Sequence, residues 1–194
     1  LLNTLELRHP DQEIVYADRL RYTYRDFKKR VARLANLLTS LGVREGDTVA
    51  VLDWDSHRYL ECFFAIPMIG AVLHTVNIRL SPDQILYTMN HAGDDLVLIN
   101  KEFLPLMAPI LGRIETVKDW VVISESADNA DAAIQFAGEY EALLDTQPEV
   151  HDFADFDEDL RATIFYTTGT TGNPKGVYYS HRQIVLHTLG TGLA

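Results

Sequence analysis

Cysteine and long apolar runs are nearly absent from this chain. Cys62 is the single cysteine among the 194 residues, which excludes an internal disulfide and a cysteine-based metal cage. This scarcity gives no indication of an oxidising compartment. No run approaches the roughly 18 uninterrupted apolar residues that a membrane span needs, and the opening LLNTLELRHP lacks the basic-then-apolar plan of a signal peptide. We therefore expect a cytoplasmic protein with no membrane span and no leader.

Positive charge is also scarce, because 17 Lys and Arg face 28 Asp and Glu and give a formal net charge of −11. Nucleic acids and anionic membrane surfaces are polyanions, so this balance argues against non-specific binding to either. Apolar residues are plentiful at 47%, with 8 Phe and 9 Tyr, which is enough to form a globular core. The length predicts one compact domain, or one domain and a fragment.

Helical and strand-like patterns alternate along the chain. Apolar residues at steps of four and three predict a helix over residues 23–41, with an inner face made of Phe27, Val31, Leu34, Leu38 and Leu41. Further helices are predicted from Ser56 to Pro67, from Ser81 to Gly93 and near residues 102–111. Short β-rich runs predict strands at residues 48–54, 71–76, 95–99, 120–123 and 162–166. This alternation predicts an α/β fold with a mostly parallel sheet covered by helices on both faces.

The pattern weakens between residues 124 and 159, where acidic side chains accumulate. Five of them follow one another closely, at Asp152, Asp155, Asp157, Glu158 and Asp159. A run of like charge is usually a solvated connection. We therefore predict a boundary here, with one α/β subdomain in residues 1–150 and the start of the next in residues 151–194.

The most informative residues follow the last predicted strand. Residues 167–176, TTGTTGNPKG, combine three glycines, four threonines and Lys175. Glycines let backbone N–H groups approach an anion, threonine hydroxyls donate hydrogen bonds and the lysine adds positive charge, which suits a polyphosphate. A simple Gly/Thr-rich turn is the alternative. A Walker-type loop is disfavoured because Lys175 lies between Pro174 and Gly176. A helix predicted over residues 180–189 would add its N-terminal dipole if it points at the loop.

The run YTTGTTGNPKGV at residues 166–177 closely resembles the nucleotide-phosphate loop of the adenylate-forming superfamily, which includes acyl-CoA synthetases, aryl-CoA ligases, luciferases and peptide-synthetase adenylation domains. Residues 59–98, with GAVLHTVN and RLSP, resemble its fatty-acyl-CoA ligase branch. The resemblance covers nearly the whole chain and is least diagnostic over residues 124–151.

The resemblance implies a two-step ligase that uses ATP, Mg²⁺ and coenzyme A. A fatty acid would form an acyl-adenylate and pyrophosphate, and coenzyme A would then displace AMP. Lys175 would be catalytic by stabilising the departing pyrophosphate, and the Thr167 hydroxyl would contact magnesium. Thr168 stands where relatives often carry serine. The phosphates would be held by Thr167, Thr168, Gly169, Thr170, Thr171, Gly172 and Lys175.

Other parts of such an enzyme are not among these residues. The resemblance places the later acidic magnesium motif, the adenine pocket, most of the acyl tunnel and the small C-terminal domain beyond Ala194. We therefore interpret the chain as the N-terminal part of an acyl-CoA synthetase, which we expect to be inactive alone. An adenylating ligase for an aryl or amino acid and a non-catalytic nucleotide-binding module are the alternatives. A homodimer and a peripheral membrane contact are left open.

Several conspicuous side chains have ordinary interpretations. Cys62 and His74 are expected in the core without a catalytic role. Asp53, Asp55 and His57 surround a strand end, where capping or turn roles are favoured over metal binding. His181 either begins a helix or approaches phosphate, and the sequence does not separate the two. The basic run of Arg25, Lys28, Lys29, Arg30 and Arg33 is interpreted as a solvated helix face.

Overall fold

The computed structural model describes residues 2–124, 134–168 and 172–192. The strands are β1 (Glu13–Tyr16), β2 (Leu20–Thr23), β3 (Thr48–Leu52), β4 (Val72–Thr75), β5 (Asp94–Asn100), β6 (Asp119–Ile123), β7 (Gly138–Glu139), β8 (Arg161–Thr167) and β9 (Lys175–Ser180). The α-helices are α1 (Leu2–Arg8), α2 (Tyr24–Ser40), α3 (His57–Met68), α4 (Pro82–Ala92), α5 (Leu104–Met107), α6 (Tyr140–Asp145) and α7 (His181–Gly192). Short 3₁₀ turns at Lys101–Phe103 and Leu111–Arg113 flank α5.

The main sheet has seven strands in the order β7-β6-β5-β3-β4-β8-β9, and β1 and β2 form a separate antiparallel ribbon. Every neighbouring pair in the main sheet is parallel except β8 and β9, which are antiparallel. Strands joined through helices run parallel because each crossover carries the chain back to the same edge. The prediction of a mostly parallel α/β sheet is therefore confirmed.

Alternate residues of the central strand β3 enter two different cores. Val49 and Val51 pack with α2 and α3 on one face, whereas Ala50 and Leu52 pack with α4 and α5 on the other. All five residues of β3 are buried. A strand covered on both faces must be apolar throughout, which explains the continuous run TVAVL. Helices thus cover both faces of the sheet, as predicted.

Local capping signals place the helices α2 and α4 where the sequence predicted them. Thr23 caps α2, and its hydroxyl and the Asp26 carboxylate form a reciprocal capping box. Ser81 and Gln84 form the same device at the start of α4. The helix α4 ends at Gly93 with φ +70°, a left-handed conformation that glycine adopts without a Cβ clash. The two helices that flank β3 and β4 are therefore specified by short-range patterns.

The structure departs from the predicted elements in several places. The helix expected over residues 102–111 contains only the four-residue α5 between 3₁₀ turns. The strand β9 was not predicted, nor were α1 and the β1–β2 ribbon. Across the predicted boundary at residue 150, β8 pairs with β4 in the same sheet. The division into subdomains at that point stays a prediction.

The basic run on α2 is not a wholly solvated face. Arg30 donates to the buried carboxylate of Glu61 at 2.6 Å, and its side chain is 22% exposed. Arg33 pairs with Asp145 at 2.9 Å and with Glu149 at 3.0 Å. The interpretation as a solvated face is wrong for these two arginines, because acidic residues of α3, α6 and the segment after α6 lie against α2.

Candidate functional site

The glycine- and threonine-rich loop lies at the carboxyl edge of the parallel sheet. The strand β8 runs parallel to β4, with Leu73, His74 and Thr75 opposite Thr163, Ile164 and Phe165, so β8 ends at the same edge as β4. The loop then joins β8 to β9, which returns antiparallel along its outer side. Ligands of open α/β sheets bind beyond this edge. The fold therefore presents the loop where a ligand is expected.

Thr167 and Lys175 face each other across the base of the loop. They are cross-strand partners in the β8–β9 pair, so their side chains project from the same face. Both residues are exposed. The Thr167 hydroxyl donates to the Lys175 carbonyl oxygen at 3.5 Å. The pairing brings a hydroxyl and an ammonium group together at the mouth of the loop, where both can reach an anion.

The structure describes some of the remaining loop residues and not others. Thr168 and Gly172 are exposed, and Gly172 has φ +97°, which favours glycine in this turn. Pro174 is buried and leads the chain into β9. The predicted phosphate contacts of Gly169, Thr170 and Thr171 lie outside the described residues. Those assignments, like the roles of Thr167, Thr168, Gly172 and Lys175, stay predictions.

Tyr166, directly before the loop, is held by groups far away in sequence. Its hydroxyl lies 2.7 Å from Nδ1 of His91, in the last turn of α4. Its ring packs so closely on Gly176 that a Cβ placed there would lie 3.3 Å from Cε1 of Tyr166. Burial is the main cause that raises the pKa of Tyr166, and the electrostatic effect of the nearby Tyr178 raises it further, so the Tyr166 hydroxyl stays protonated. Tyr166 belongs to the motif, but no sequence signal connected it to His91.

Three of the side chains given ordinary interpretations, Cys62, His74 and Asp53, lie where those interpretations place them. Cys62 is fully buried, and burial raises the pKa of its thiol. His74 is 1% exposed, and its Nδ1 lies 2.9 Å from both carboxylate oxygens of Asp94. Asp53 accepts hydrogen bonds from Ser56, the N-cap of α3, and from Asn100. The core and capping interpretations of Cys62, His74 and Asp53 are confirmed.

His181 lies at the wrong end of β9 to contact phosphate at the loop. The strand runs six residues from Lys175 to Ser180, which separates its ends by about 17 to 20 Å. His181 begins α7, its backbone N–H donates to Leu160 just before β8, and its ring lies 4.6 Å from that of Phe156. The helix-start interpretation is therefore confirmed, and the N-terminus of α7 adds no dipole to the loop.

Hydroxyl and carbonyl oxygen atoms are available for a cation at the base of the loop. Among the residues that the structure describes, no group of three or more His, Cys, Asp or Glu side chains could hold a metal ion. The Thr167 hydroxyl and the Lys175 carbonyl oxygen lie together at the loop base. Mg²⁺ prefers oxygen ligands and usually retains waters and substrate phosphates. These two oxygen atoms fit a magnesium ion whose other ligands are phosphate oxygens and waters.

Over residues 2–124, 134–168 and 172–192, no helix is both long and apolar enough to cross a bilayer.

A glycine- and threonine-rich loop follows β8 at the carboxyl edge of a mostly parallel sheet, which is the arrangement of an α/β domain that binds ligands beyond the ends of its parallel strands. The model of a family described as AMP-binding enzyme matches residues 5–192. The chain belongs to the AMP-binding enzyme family.

Two curated relatives cover most of this chain. A long-chain-fatty-acid–CoA ligase of Thermus thermophilus is 44% identical over 173 residues, which are 89% of this chain and 30% of the relative. A medium-chain-fatty-acid–CoA ligase of Ectopseudomonas oleovorans is 38% identical over 173 residues, 89% of this chain and 32% of that protein. The chain therefore spans about a third of the length of the curated relatives it matches.

Solved structures share the fold. The anthranilate CoA ligase AuaEII, in complex with anthranoyl-AMP, superposes with a TM-score of 0.86 and 26% identity. That match covers 97% of this chain and 36% of the other. A fatty acyl CoA synthetase of Mycobacterium tuberculosis gives a TM-score of 0.78 at 24% identity, with 93% and 34% covered. The mostly parallel sheet and its helices are thus those of the N-terminal part of acyl-CoA ligases.

Proposed function

We propose that the chain is the N-terminal part of an ATP-dependent ligase that converts a fatty acid to its coenzyme A thioester through an acyl-adenylate. The observation that carries this proposal is the phosphate-type loop at the carboxyl edge of the sheet, in a chain of the AMP-binding enzyme family. The fatty-acid substrate is favoured by two relatives, at 38% and 44% identity, that are named medium- and long-chain ligases.

The reaction joins anions, so positioning and charge neutralisation carry the catalysis. A carboxylate oxygen attacks the α-phosphorus of ATP, a P–O bond forms, and the P–O bond to pyrophosphate breaks. The thiol sulfur of coenzyme A then attacks the acyl carbon, so that a C–S bond forms, the C–O bond to AMP breaks and the thiol proton passes to solvent. Both steps are substitutions without a change of oxidation state, so no oxidant or reductant is required.

The loop residues have separate roles in this proposal. The ammonium group of Lys175 neutralises charge on the departing pyrophosphate, and the hydroxyls of Thr167 and Thr168 donate to phosphate oxygens. Gly172 shapes the turn, while Gly169, Thr170 and Thr171 contribute further donors. The Thr167 hydroxyl is the ligand that this chain offers to magnesium. When bound, Mg²⁺ neutralises phosphate charge and orients the phosphate groups.

The proposal is tested by pyrophosphate exchange and AMP release in the full-length enzyme. Replacing Lys175 by Ala removes one charge-stabilising donor, and we expect activity to fall about 100- to 1,000-fold. The melting temperature should hardly change, because an exposed lysine contributes little to the core. Lys118→Ala is the matched control, since Lys118 is an exposed lysine that precedes β6 and lies at the opposite edge of the sheet.

The substrate class is tested with a panel of carboxylic acids. Medium- and long-chain fatty acids should support exchange, whereas aryl acids and amino acids should not. Exchange with an aryl or amino acid alone would indicate the alternative ligase. Absence of AMP formation with every acid would contradict the enzymatic proposal and favour a nucleotide-binding module. Dimerisation and a peripheral membrane contact stay predictions, which light scattering and vesicle sedimentation of the full-length protein can test.

A further inference from the structure

The loop is anchored to the rest of the fold through one side chain at its base. Tyr166 is the last residue before Thr167, and its hydroxyl is 2.7 Å from Nδ1 of His91. Tyr166 and His91 are 75 positions apart and lie on β8 and α4. The hydrogen bond therefore connects the start of the loop to the carboxyl end of a helix that packs on the sheet.

The same ring reaches the other end of the loop. Tyr166 and Gly176 are cross-strand partners, just as Thr167 and Lys175 are. A Cβ at Gly176 would lie 3.3 Å from Cε1 and 3.4 Å from Cζ of Tyr166. Glycine thus allows the ring to lie directly against the backbone that follows Lys175. Any movement of the Tyr166 ring would therefore displace the backbone at both ends of the loop.

Neighbouring aromatic rings restrain this arrangement. Tyr166 is 7% exposed, and its ring centroid lies 5.3 Å from that of His74 in β4. The ring of Tyr87 stacks on His91 at 5.4 Å, one helical turn earlier in α4. Because the phenol is protonated, it can donate to an unprotonated Nδ1, and a protonated Nδ1 can donate to it. The contact is therefore available in either tautomer of His91.

We propose that Tyr166 and His91 are positioning residues that hold Thr167 and Lys175 in place for the phosphates of ATP. The inference rests on the proposed function, since it assigns these two residues to the same phosphate site. Neither side chain need touch the nucleotide. Their effect is to keep the two ends of the loop at a fixed separation before binding, so that less ordering accompanies binding.

The test uses Tyr166→Phe, which retains the ring on Gly176, and His91→Ala, which leaves Tyr166 intact. In the full-length enzyme we expect the KM for ATP to rise about 3- to 10-fold in each, the loss typical of one hydrogen bond, with a smaller change in kcat. The KM for ATP of the double variant should be no higher than that of the more impaired single variant, because both substitutions remove the same hydrogen bond. His91→Asn, whose side-chain oxygen can accept near the position of Nδ1, should restore part of the affinity.

Tyr179→Phe is the matched control, because it removes a hydroxyl from an exposed tyrosine on β9, the strand that pairs with β8. It should leave the KM for ATP unchanged. Hydrogen–deuterium exchange of a peptide spanning residues 166–177, measured without nucleotide, gives a readout independent of activity. Tyr166→Phe and His91→Ala should speed exchange there, whereas Tyr179→Phe should not.

The outcomes separate the positioning role from the proposed function. Unchanged exchange in both variants would overturn the positioning role, whatever the enzyme does. Faster exchange together with an unchanged KM for ATP would also overturn it, because the anchor would then be only structural. Wild-type enzyme that releases no pyrophosphate would refute the proposed function instead, and faster exchange in the variants would still show that the anchor holds the loop.

Discussion

Replacing Arg30 should strongly destabilise the protein, because Arg30 compensates a fully buried carboxylate. Glu61 is 0% exposed and accepts from Arg30 Nε at 2.6 Å, from Arg30 Nη2 at 3.2 Å and from the Tyr140 hydroxyl at 2.7 Å. Arg30 also donates to Glu141 at 2.9 Å. Arg30→Met fills much of the same volume but leaves Glu61 with the Tyr140 hydroxyl and no positive partner.

The expected cost follows from that uncompensated charge. Removing one partner of a buried ion pair destabilises by about 3 to 5 kcal/mol. A domain has about 5 to 15 kcal/mol of total stability, so Arg30→Met should remove a large fraction of it. With a urea dependence of about 2 to 3 kcal/mol per molar, the unfolding midpoint should fall by about 1 to 2.5 M. Urea unfolding followed by circular dichroism and by tryptophan fluorescence measures this shift, and coincident transitions would establish two-state behaviour.

A second substitution isolates the cause. Arg30→Met combined with Glu61→Met removes both charges, and we expect it to be at least about 2 kcal/mol more stable than Arg30→Met alone, since apolar replacement of a whole buried pair is often neutral or stabilising. Glu141 keeps Arg58, which donates to it at 2.7 Å. Arg21→Met is the control, because its ion pair with Glu13 is exposed and should contribute less than about 1 kcal/mol.

The reasoning would be refuted if Arg30→Met shifted the midpoint no more than Arg21→Met. It would fail equally if the double variant were no more stable than Arg30→Met, since the loss would then come from packing and not from a buried charge.

Three further predictions concern pH and helix ends. Burial alone would raise the pKa of Glu141, but hydrogen bonds and charges from His57, Arg30 and Arg58 outweigh it and lower the pKa from 4.5 to about 2. Because the unfolded chain binds this proton more readily than the folded chain, the ionised Glu141 adds at most about 3 kcal/mol to the free energy of unfolding. This contribution is fully present above pH 4.5 and is lost as the pH falls toward 2. In a series of thermal unfolding measurements over this pH range, the stability of Glu141→Gln should depend less on pH than that of wild type. Ser81→Ala removes the N-cap of α4 and should cost about 1 kcal/mol in urea unfolding. Gly93→Ala places a Cβ on a residue with φ +70° and should lower the free energy of unfolding by about 1 to 2 kcal/mol. This cost comes from the backbone conformation, because no atom beyond the neighbouring residues lies within 4 Å of that Cβ. A variant as stable as wild type would show that backbone strain is absent.

The sequence predicts the elements whose signals are local. Apolar spacing and the pair of Thr23 and Asp26 locate α2, and the pair of Ser81 and Gln84 with Gly93 bounds α4. The β-rich runs locate five strands of the main sheet, and their alternation with helices predicts parallel pairing. Such patterns suffice because a cap, a turn or an amphipathic face depends on residues only a few positions apart.

Less local elements escaped prediction for identifiable reasons. The strand β9 forms by antiparallel pairing across a loop, and its partners on β8 decide whether the run KGVYYS is extended. The helix expected over residues 102–111 is interrupted, with a proline in the first turn of α5 and 3₁₀ turns on both sides. Pairing with β8 therefore decided the case of β9, whereas the interrupted helix contains a proline.

The sequence by itself determined the fold class, the core face of α2 and the position and composition of the phosphate-type loop, because these depend on short-range order and residue chemistry. Only the tertiary structure decided which distant groups meet. Arg30 lies 31 positions from Glu61 and 111 from Glu141, and Tyr166 lies 75 from His91. No periodic pattern spans such separations, since the sheet order and the packing of helices on its faces bring these side chains together.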